Sequence, residues 1–187
     1  MISAVYDACV LYLGSLKDFL LRLAFAGLVN PLWSEEIQNE WSRSLLRKQS
    51  ELKREKLERT CQEMNFHFPN GLVRGYESIT PTLTLPDPND RHVLAVSIHA
   101  KAEYIVTFNL HDFPQTALLP YNIKAVSPDE FALRLIHGEP HHVLQAIRDH
   151  RLSLKKPPKT TAEYLATLEQ QGLLKTVAFL RRHEADI

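Results

Sequence analysis

The sequence has few cysteines, no net charge and no long apolar run. Each of these absences excludes a class of protein. Its two cysteines, Cys9 and Cys61, have no CxxC partner, so they predict neither a disulfide framework nor a metal-spaced pair. A reduced, cytoplasmic setting fits this usage best, with Cys9 as a small buried side chain. No segment approaches the roughly 20 apolar residues that cross a bilayer, so we expect no membrane association. The 22 basic residues balance 22 acidic ones, so a nucleic acid could be bound only by local patches.

Several familiar site signatures are also absent. The chain has no GxSxG nucleophile elbow, no GxxxxGK[ST] phosphate loop and no HExxH zinc motif. His92, His99 and His111 stand near acidic residues but lack helical pairing, so we expect none of them to bind a metal. The apolar start carries Asp7 and has neither a basic lead nor a small-residue cleavage site, so we expect no signal peptide.

What the sequence does contain is an alternation of apolar strands and amphipathic helices. At 187 residues, 44% of them hydrophobic, the chain is long enough to bury a proper core. Strands are predicted at residues 2–6, 28–33, 104–108 and 122–126, and helices at 15–26, from Ser34, from Asp87 and from Ser127. Residues 80–85 are expected to be a short extended piece. This order predicts an α/β fold, a three-layer αβα sandwich with a mainly parallel sheet of four to five strands.

The stretch LPDPNDRHVLAVSIHAKAEYIVTFNLHDF, residues 85–113, concentrates polar groups around one helix and one strand. Asp87 and Pro88 predict an N-cap and a first helical residue, which places Asp90 in the first turn. Asn109 and Asp112 follow the predicted strand, and Thr107 lies near its end. Ligands bind at the carboxyl ends of strands in such sheets, so these side chains are site candidates, with Asn109, Asp87 and Thr107 in supporting roles.

Two more carboxylates precede this stretch, and each has a structural alternative. Asp7 ends the first strand, where it either caps the next helix or belongs to a site. Glu40 lies on the apolar face of its helix, which makes it a site candidate or the partner of a buried arginine. Asp87 and Asp112 are themselves candidates for caps. The four catalytic candidates are Asp7, Glu40, Asp90 and Asp112.

Asp7, Asp90 and the pair Asn109 and Asp112 are predicted at the same edge of the sheet, with Glu40 on an inward face of its helix. Crowded carboxylates raise one another's pKa unless a cation compensates, and Mg²⁺ or Mn²⁺ is the hard cation that such oxygen ligands favour. Such an ion lowers the pKa of bound water and stabilises charge on a phosphoryl oxygen. The pattern therefore predicts hydrolysis of a phosphodiester.

A charged stretch, residues 43–59, has two interpretations. Pairs such as Glu55 and Arg59 indicate a solvated helix face. Its basic residues could equally hold a phosphate backbone beside the acidic site, and the residues for that role are Arg43, Arg47 and Lys48.

Four motifs together resemble PIN-domain ribonucleases of the VapC-like toxin type. They are VYDACVL, WSEEIQNEW, LPDPNDRHVLAVSI and VTFNLHDFP, and the resemblance covers about residues 1–137. It implies that Asp7, Glu40, Asp90 and Asp112 bind Mg²⁺ and that water cuts RNA to leave a 5'-phosphate. It also implies an antitoxin partner that crosses the groove, and a homodimer. Asn109 stands where many members of the family have an acid, which implies a less negative site.

After Gly138 no further strand is predicted. Helices are expected at 141–152, 161–171 and 173–183, with the KKPPK segment as a linker. The sequence therefore predicts a nuclease domain, 1–137, and a helical extension, 138–187. This extension is expected to dock on the main domain, form a dimer or receive a partner in a groove.

Two alternatives to the nuclease remain. A phosphatase of the haloacid-dehalogenase type would need an acid where Cys9 stands. A catalytically silent PIN-like module would bind RNA or protein without an effect of metal.

Overall fold

The structure is a computed structural model that describes residues 1–49 and 51–187. It contains two compact units. The first, which we call the sheet unit, comprises residues 2–12 and 30–126; the second, the helical unit, comprises residues 13–29 and 127–187 together with Met1.

Four strands form one sheet. They are β1 (Ile2–Tyr6), β2 (Val29–Leu32), β3 (Tyr104–Val106) and β4 (Lys124–Val126), in the spatial order β2-β1-β3-β4. β3 pairs in parallel with both β1 and β4. Tyr6 is level with Val106, and Val106 with Val126, so three carboxyl ends lie side by side. Polar residues that follow β1 and β3 are thereby brought together.

Helices make up most of the remaining chain. The α-helices are α1 (Ala8–Leu11), α2 (Gly14–Phe25), α3 (Glu35–Lys48), α4 (Arg54–His67), α5 (Arg91–His99), α6 (Gln115–Leu118), α7 (Pro128–Gly138), α8 (Pro140–Ser153), α9 (Thr161–Gln170) and α10 (Leu174–Leu180). Short 3₁₀ helices are Thr80–Thr82, Pro88–Asp90, Leu110–Asp112, Leu119–Tyr121 and Arg181–Asp186. In the described part of the chain, no helix is both long enough and apolar enough to span a bilayer. The parallel sheet with its flanking helices confirms the predicted PIN-like α/β class with a C-terminal helical region.

Helix α5 is the central helix of the sheet unit. It packs against β1 and β3, and the run from Val93 to Val96 is almost fully buried. A helix that is apolar on nearly all sides needs cover on more than one face, and here the sheet supplies part of it.

Local sequence signals predicted several element ends correctly. Ser34 caps α3 through its hydroxyl, which accepts from the Ile37 N–H at 3.2 Å. Ser127 and Glu130 form a capping box at the start of α7. Gly27 follows α2 with φ +76°, a left-handed conformation that glycine adopts without a Cβ penalty. Pro31 is tolerated in β2 because β2 lies at the edge of the sheet.

Three expectations about local structure were wrong. Residues 80–85 contain a 3₁₀ helix rather than an extended piece, because Pro81 cannot donate to a sheet ladder and the Thr82 hydroxyl donates to the Ile79 carbonyl at 2.7 Å. Asp87 caps a 3₁₀ turn, and α5 begins only at Arg91, so Asp90 precedes the α-helix.

The charged stretch 43–59 is likewise not one helix. A turn in which the Leu52 N–H donates to the Gln49 carbonyl at 3.0 Å separates α3 from α4, while position 50 lies outside the described residues. Helix α4 then continues to His67, through a stretch for which the sequence predicted no helix.

The helical unit has its own core. Helix α2 packs against α8 and α9, and α7 packs against α8 and α10. The Asp129 carboxylate accepts the backbone N–H groups of Lys175 and Thr176 at 2.9 and 2.8 Å, which ties the start of α10 to α7. The three helices predicted after Gly138 are confirmed as α8, α9 and α10. The division of the chain at residues 137 and 138 stays a prediction.

Candidate metal-dependent nuclease site

Asp7 stands at the carboxyl end of β1 and is 5% exposed. Its carboxylate accepts three hydrogen bonds: from the Thr107 hydroxyl at 2.6 Å, from the Ala8 N–H at 2.6 Å and from the Cys9 thiol at 3.1 Å. Asp7 therefore caps α1, as one of its two interpretations expects, and its other oxygen contacts Thr107 after β3; its part in a metal site stays a prediction. These contacts fix the carboxylate in one orientation.

Thr107 and Cys9 support that arrangement. Thr107 is fully buried, and its oxygen also accepts the Asn109 N–H at 3.0 Å, so one hydroxyl links Asp7 to the chain after β3. Burial, and after it the charge of Asp7, raise the pKa of the Cys9 thiol to about 12. Cys9 is therefore a neutral donor to Asp7 rather than a thiolate nucleophile.

Glu40 projects from α3 toward His92 of α5. The His92 Nε2 lies 3.1 Å from the Glu40 carboxylate, and the Nδ1 lies 3.7 Å from the carboxylate of Glu36. His92 is 3% exposed at its side chain and Glu40 39%. Two nearby carboxylates raise the pKa of His92 against the opposing effect of burial. The partner of Glu40 is thus a histidine, and the alternative of a buried arginine pair was wrong.

Asp90 is the carboxylate that its surroundings disturb most clearly. Burial raises its pKa to about 6, and the charges of Asp7, Asp112 and Asp87 add to that effect. Like charges that share a small space favour the protonated form of one of them. Asp90 is therefore within reach of the charges of three other carboxylates, and its part in a metal site stays a prediction.

The other two candidates from the same stretch hold different positions. Asp112 closes the 3₁₀ helix after β3, is mostly buried, and lies 3.0 Å from the Nε2 of exposed His111. Asp87 accepts the Asn89 N–H at 2.8 Å, as a cap does. Both act on Asp90 through their charge.

A single cavity of about 540 Å³ collects most of these groups. Its lining includes Asp7, Glu40, Asp90 and Asn109, but not Asp112. The basic candidates from α3 line the same cavity, and they are Arg43, Arg47 and Lys48. All three are exposed, and the Lys48 ammonium lies 5.2 Å from the centre of the Tyr12 ring. Acidic and basic residues therefore share one concave surface of the sheet unit.

The donor set suits a hard divalent cation. Carboxylate and amide oxygens surround the cavity, and after burial the charges of Asp7, Asp112 and Asp87 also raise the pKa of Asp90. Among residues 1–49 and 51–187, however, no three acidic, histidine or cysteine side chains stand close enough together to hold a metal ion as they are. A cation would have to draw the carboxylates inward.

Sequence reasoning missed three residues of this site. His92 was set aside as a ligand, and its contact with Glu40 spans 52 positions of the chain. Cys9 was interpreted as packing, and Tyr12 was not singled out. The signal for His92 was its place two residues after Asp90 on a buried helix, where a polar ring needs a partner.

Two family models match the chain. One is described as "PIN domain" and matches residues 3–111; the other is described as "VapC50 C-terminal domain" and matches residues 128–182. A relative named "Putative ribonuclease VapC50", from Mycobacterium tuberculosis (strain ATCC 25618 / H37Rv), is 46% identical over 69 residues. That match covers 35% of this chain and 40% of the relative. No solved structure matches the chain. Because the PIN-domain match extends over more than half of the 187 residues, the chain belongs to the PIN-domain family.

Proposed function

We propose that the chain is a metal-dependent endoribonuclease that hydrolyses RNA phosphodiester bonds. The observation that carries this proposal is the single cavity lined by Asp7, Glu40 and Asp90, in which burial, and after it the charges of neighbouring carboxylates, raise the pKa of Asp90 to about 6. Such crowding is costly unless the site serves a cation. The PIN-domain match is consistent with this chemistry.

Mg²⁺ or Mn²⁺ is the proposed cofactor, held by Asp7, Glu40, Asp90 and Asp112 with Asn109 in support. When bound, such an ion lowers the pKa of water and stabilises negative charge on a phosphoryl oxygen. Asp112 lies outside the cavity lining, so its proposed part requires the loop after β3 to move or a water molecule to bridge.

The chain's own residues position the reacting groups. Thr107, Cys9 and the Ala8 N–H hold the Asp7 carboxylate, and His92 holds the Glu40 carboxylate. Fixed carboxylates lower the reorganisation needed when charge develops in the reaction. Asp90 changes its protonation near pH 6 and must be ionised to bind a cation.

RNA would be bound by the basic wall of the same cavity. Arg43, Arg47 and Lys48 are exposed on α3 and line the cavity, and Arg43 and Arg47 have the i,i+4 spacing that places two side chains on one helix face. Lysine and arginine bind phosphate without regard to base sequence. Each contributes to a salt-dependent affinity.

A toxin role, a cognate antitoxin, a homodimer and a cytoplasmic site of action complete the proposal. The relative named "Putative ribonuclease VapC50" supports the toxin role. A small DNA-binding protein encoded beside this chain, copurifying with it, would be the expected antitoxin.

The test is cleavage of total tRNA and rRNA by purified protein, with Mg²⁺, with Mn²⁺ or with EDTA. We expect cleavage with either metal and none with EDTA. Asp90→Asn should lower the rate by on the order of a hundredfold or more, because it removes a charged oxygen at the centre of the site. Asp149→Asn, at an exposed position of α8, is the matched control and should cleave like the parent.

Full activity of Asp90→Asn, or cleavage that EDTA does not affect, would reject the proposed nuclease. The catalytically silent module would instead be favoured if the protein bound RNA without cleaving it and if titration with Mn²⁺ released no heat.

A further inference from the structure

The helical unit contains a cavity of about 260 Å³ that shares no lining residue with the acidic site. Its wall comes from the start of α2, the end of α8, the segment between α8 and α9, and α9 itself. The segment is the KKPPK stretch, which the sequence indicated only as a linker. It supplies three lysines to the lining, Lys155, Lys156 and Lys159.

The segment that carries these lysines is held in place by its own backbone. Lys155 and Pro158 form an antiparallel bridge, and the Arg151 guanidinium donates to the Lys159 carbonyl at 3.2 Å. The three ammonium groups are therefore presented from an ordered loop, which lowers the entropic cost of gathering them around a ligand.

These lysines lack acidic partners. Over the part of the chain that the structure describes, none of the three forms an ion pair. Lys155 and Lys156 are exposed, whereas Lys159 is half-buried and donates to the Thr167 hydroxyl at 2.5 Å. The charge of Lys159 acts on the Glu163 carboxylate, but that carboxylate already accepts the Thr160 N–H at 2.9 Å in the capping box of α9. A half-buried ammonium whose partner is a hydroxyl favours an added anion.

Two hydroxyls of the cavity already donate within the protein, from Ser153 to the His150 carbonyl at 2.7 Å and from Thr167 to the Glu163 carbonyl at 2.8 Å, so the lysines are the groups that would hold an anion. Ser15, Ser153 and Thr167 contribute hydroxyls to the lining. His150 is 6% exposed and its Nδ1 lies 2.9 Å from the Tyr164 hydroxyl. Burial, and after it the charges of Arg22 and Lys159, lower the pKa of His150 to about 4, so the ring is neutral at pH 7. The same positive surroundings that discourage a proton on His150 attract an anion.

One carboxylate, Asp18, also lines the cavity. With three lysines against one aspartate the lining carries a formal charge of +2. Lysine ammonium groups act as point charges with freely directed donors, a geometry suited to a tetrahedral dianion. A carboxylate ligand would favour the planar fork of arginine instead, and no arginine lines this cavity.

We propose that the cavity between the KKPPK segment and helices α2, α8 and α9 binds a phosphate group, carried either by an RNA chain or by a free nucleotide. Its volume is below the range of about 300–1,000 Å³ typical of drug-sized ligands, which suits one phosphate with a sugar or a base. The apolar residues Leu154, Pro157 and Leu168 provide a surface for the non-ionic part.

The experiment is isothermal titration of the full chain in EDTA and low salt, with inorganic phosphate, with AMP and with a 5'-phosphorylated single-stranded oligoribonucleotide. The variant carries Lys155→Gln and Lys156→Gln together; both side chains are exposed and unpaired, so the fold should be unchanged by circular dichroism. Lys175→Gln, at an exposed position of α10, is the matched control for loss of a positive charge. We expect the double variant to weaken the phosphate probes at least about tenfold and the control to leave them unchanged.

The arms of the experiment separate the two sources. An effect on AMP and inorganic phosphate alone identifies a nucleotide site. An effect on the oligoribonucleotide, with a salt slope reduced by about two contacts, identifies an RNA site. No binding of any phosphate probe to the parent, equal binding by the double variant, or acetate binding as well as phosphate would overturn the proposal. The effect is measured in EDTA and as binding rather than cleavage, so failure of the nuclease proposal leaves this one standing.

Discussion

At the scale of single residues, Asp90 has the pKa most relevant to function. Its folded pKa of about 6 exceeds the ordinary value of 3.8, so between these values the folded state binds more protons than the unfolded state. Stability therefore falls as pH rises from about 4 to about 6, with the loss complete above that window.

Removing this charge should stabilise the metal-free protein at neutral pH. We expect Asp90→Asn to raise the melting temperature by on the order of 2 °C at pH 7.5. At pH 4 we expect little effect, because the folded Asp90 side chain is then protonated and as uncharged as asparagine. Differential scanning calorimetry in EDTA measures the difference. An equal change at both pH values would contradict the assigned cause, since packing rather than charge would then be responsible.

His92 should act by positioning Glu40 rather than by touching RNA. Its ring is 3% exposed and lies 3.1 Å from the carboxylate. His92→Ala should lower kcat about tenfold to a hundredfold with little change in KM, as loss of a group that orients a metal ligand does. His92→Gln, which can still donate to Glu40, should recover part of that rate. Equal loss in both variants, with a lowered melting temperature, would mean that His92 has only a packing role.

At the scale of elements, a close contact joins the end of β2 to the turn after α4. Trp33 donates its N–H to the Gly71 carbonyl at 2.8 Å, and a Cβ on Gly71 would lie 3.0 Å from both the Pro31 carbonyl oxygen and the Trp33 ring. Because Trp33 is fully buried, neither neighbour can move freely.

Gly71→Ala should therefore destabilise the protein by about 1–3 kcal/mol. Gly138→Ala, where nothing lies within 4 Å of the added Cβ, is the control and should be neutral or slightly stabilising at the end of α7. Urea denaturation of both variants measures the difference. Equal stability of the two variants would show that the Gly71 turn relaxes around the methyl group.

The helical unit should weaken in acid because of the pair His150 and Tyr164. The folded pKa of His150, about 4, lies below its ordinary value of 6.5, so the neutral ring stabilises the fold above pH 6.5 and this contribution is lost as pH falls toward 4. At pH 5 the loss is about 2 kcal/mol.

A His150→Gln variant should lack this part of the pH dependence. Denaturation at pH 7 and pH 5 gives the measurement, and Lys175→Gln should retain the parental slope. A parental slope in His150→Gln would assign the acid sensitivity to another group.

Elements governed by local chemistry were predictable, and elements governed by distant contacts were not. Ser34, Ser127 and Gly27 mark helix ends by their own hydrogen bonding or backbone freedom, and the structure confirms them. The part of helix α4 after Arg59 was not predicted, because the helix is strongly polar and buries few side chains, among them Leu57 and Met64, so its apolar period is weak. The shared cavity of Asp7 and Asn109 followed from the pairing of parallel strands β1 and β3, whereas the contact of His92 with Glu40 depends on how α3 meets α5.

At the scale of the whole molecule, the compact units do not follow the order of the chain. Helix α2 comes early but packs with α8 and α9, and it buries Leu16, Leu20 and Leu23. A chain truncated after residue 137 would lose α8 and α9. We expect such a fragment to aggregate or to bind a hydrophobic dye strongly, because the apolar face of α2 would be uncovered.

Cooperative unfolding of a soluble 1–137 fragment would oppose this expectation and would support the division at residues 137 and 138 as one between independent domains. Calorimetry and size-exclusion chromatography of the fragment and the full chain make the comparison. Loss of the last residues alone, after α10, is the milder control.

The early position of α2 also matters during protein synthesis. More than a hundred residues separate its end at Phe25 from the start of α8 at Pro140. At about 5–20 residues per second, a ribosome needs on the order of ten seconds to make that interval. Throughout it the contacts of α2 with α8 and α9 cannot form, so Leu16, Leu20 and Leu23 lack the cover that these two helices give them in the folded protein.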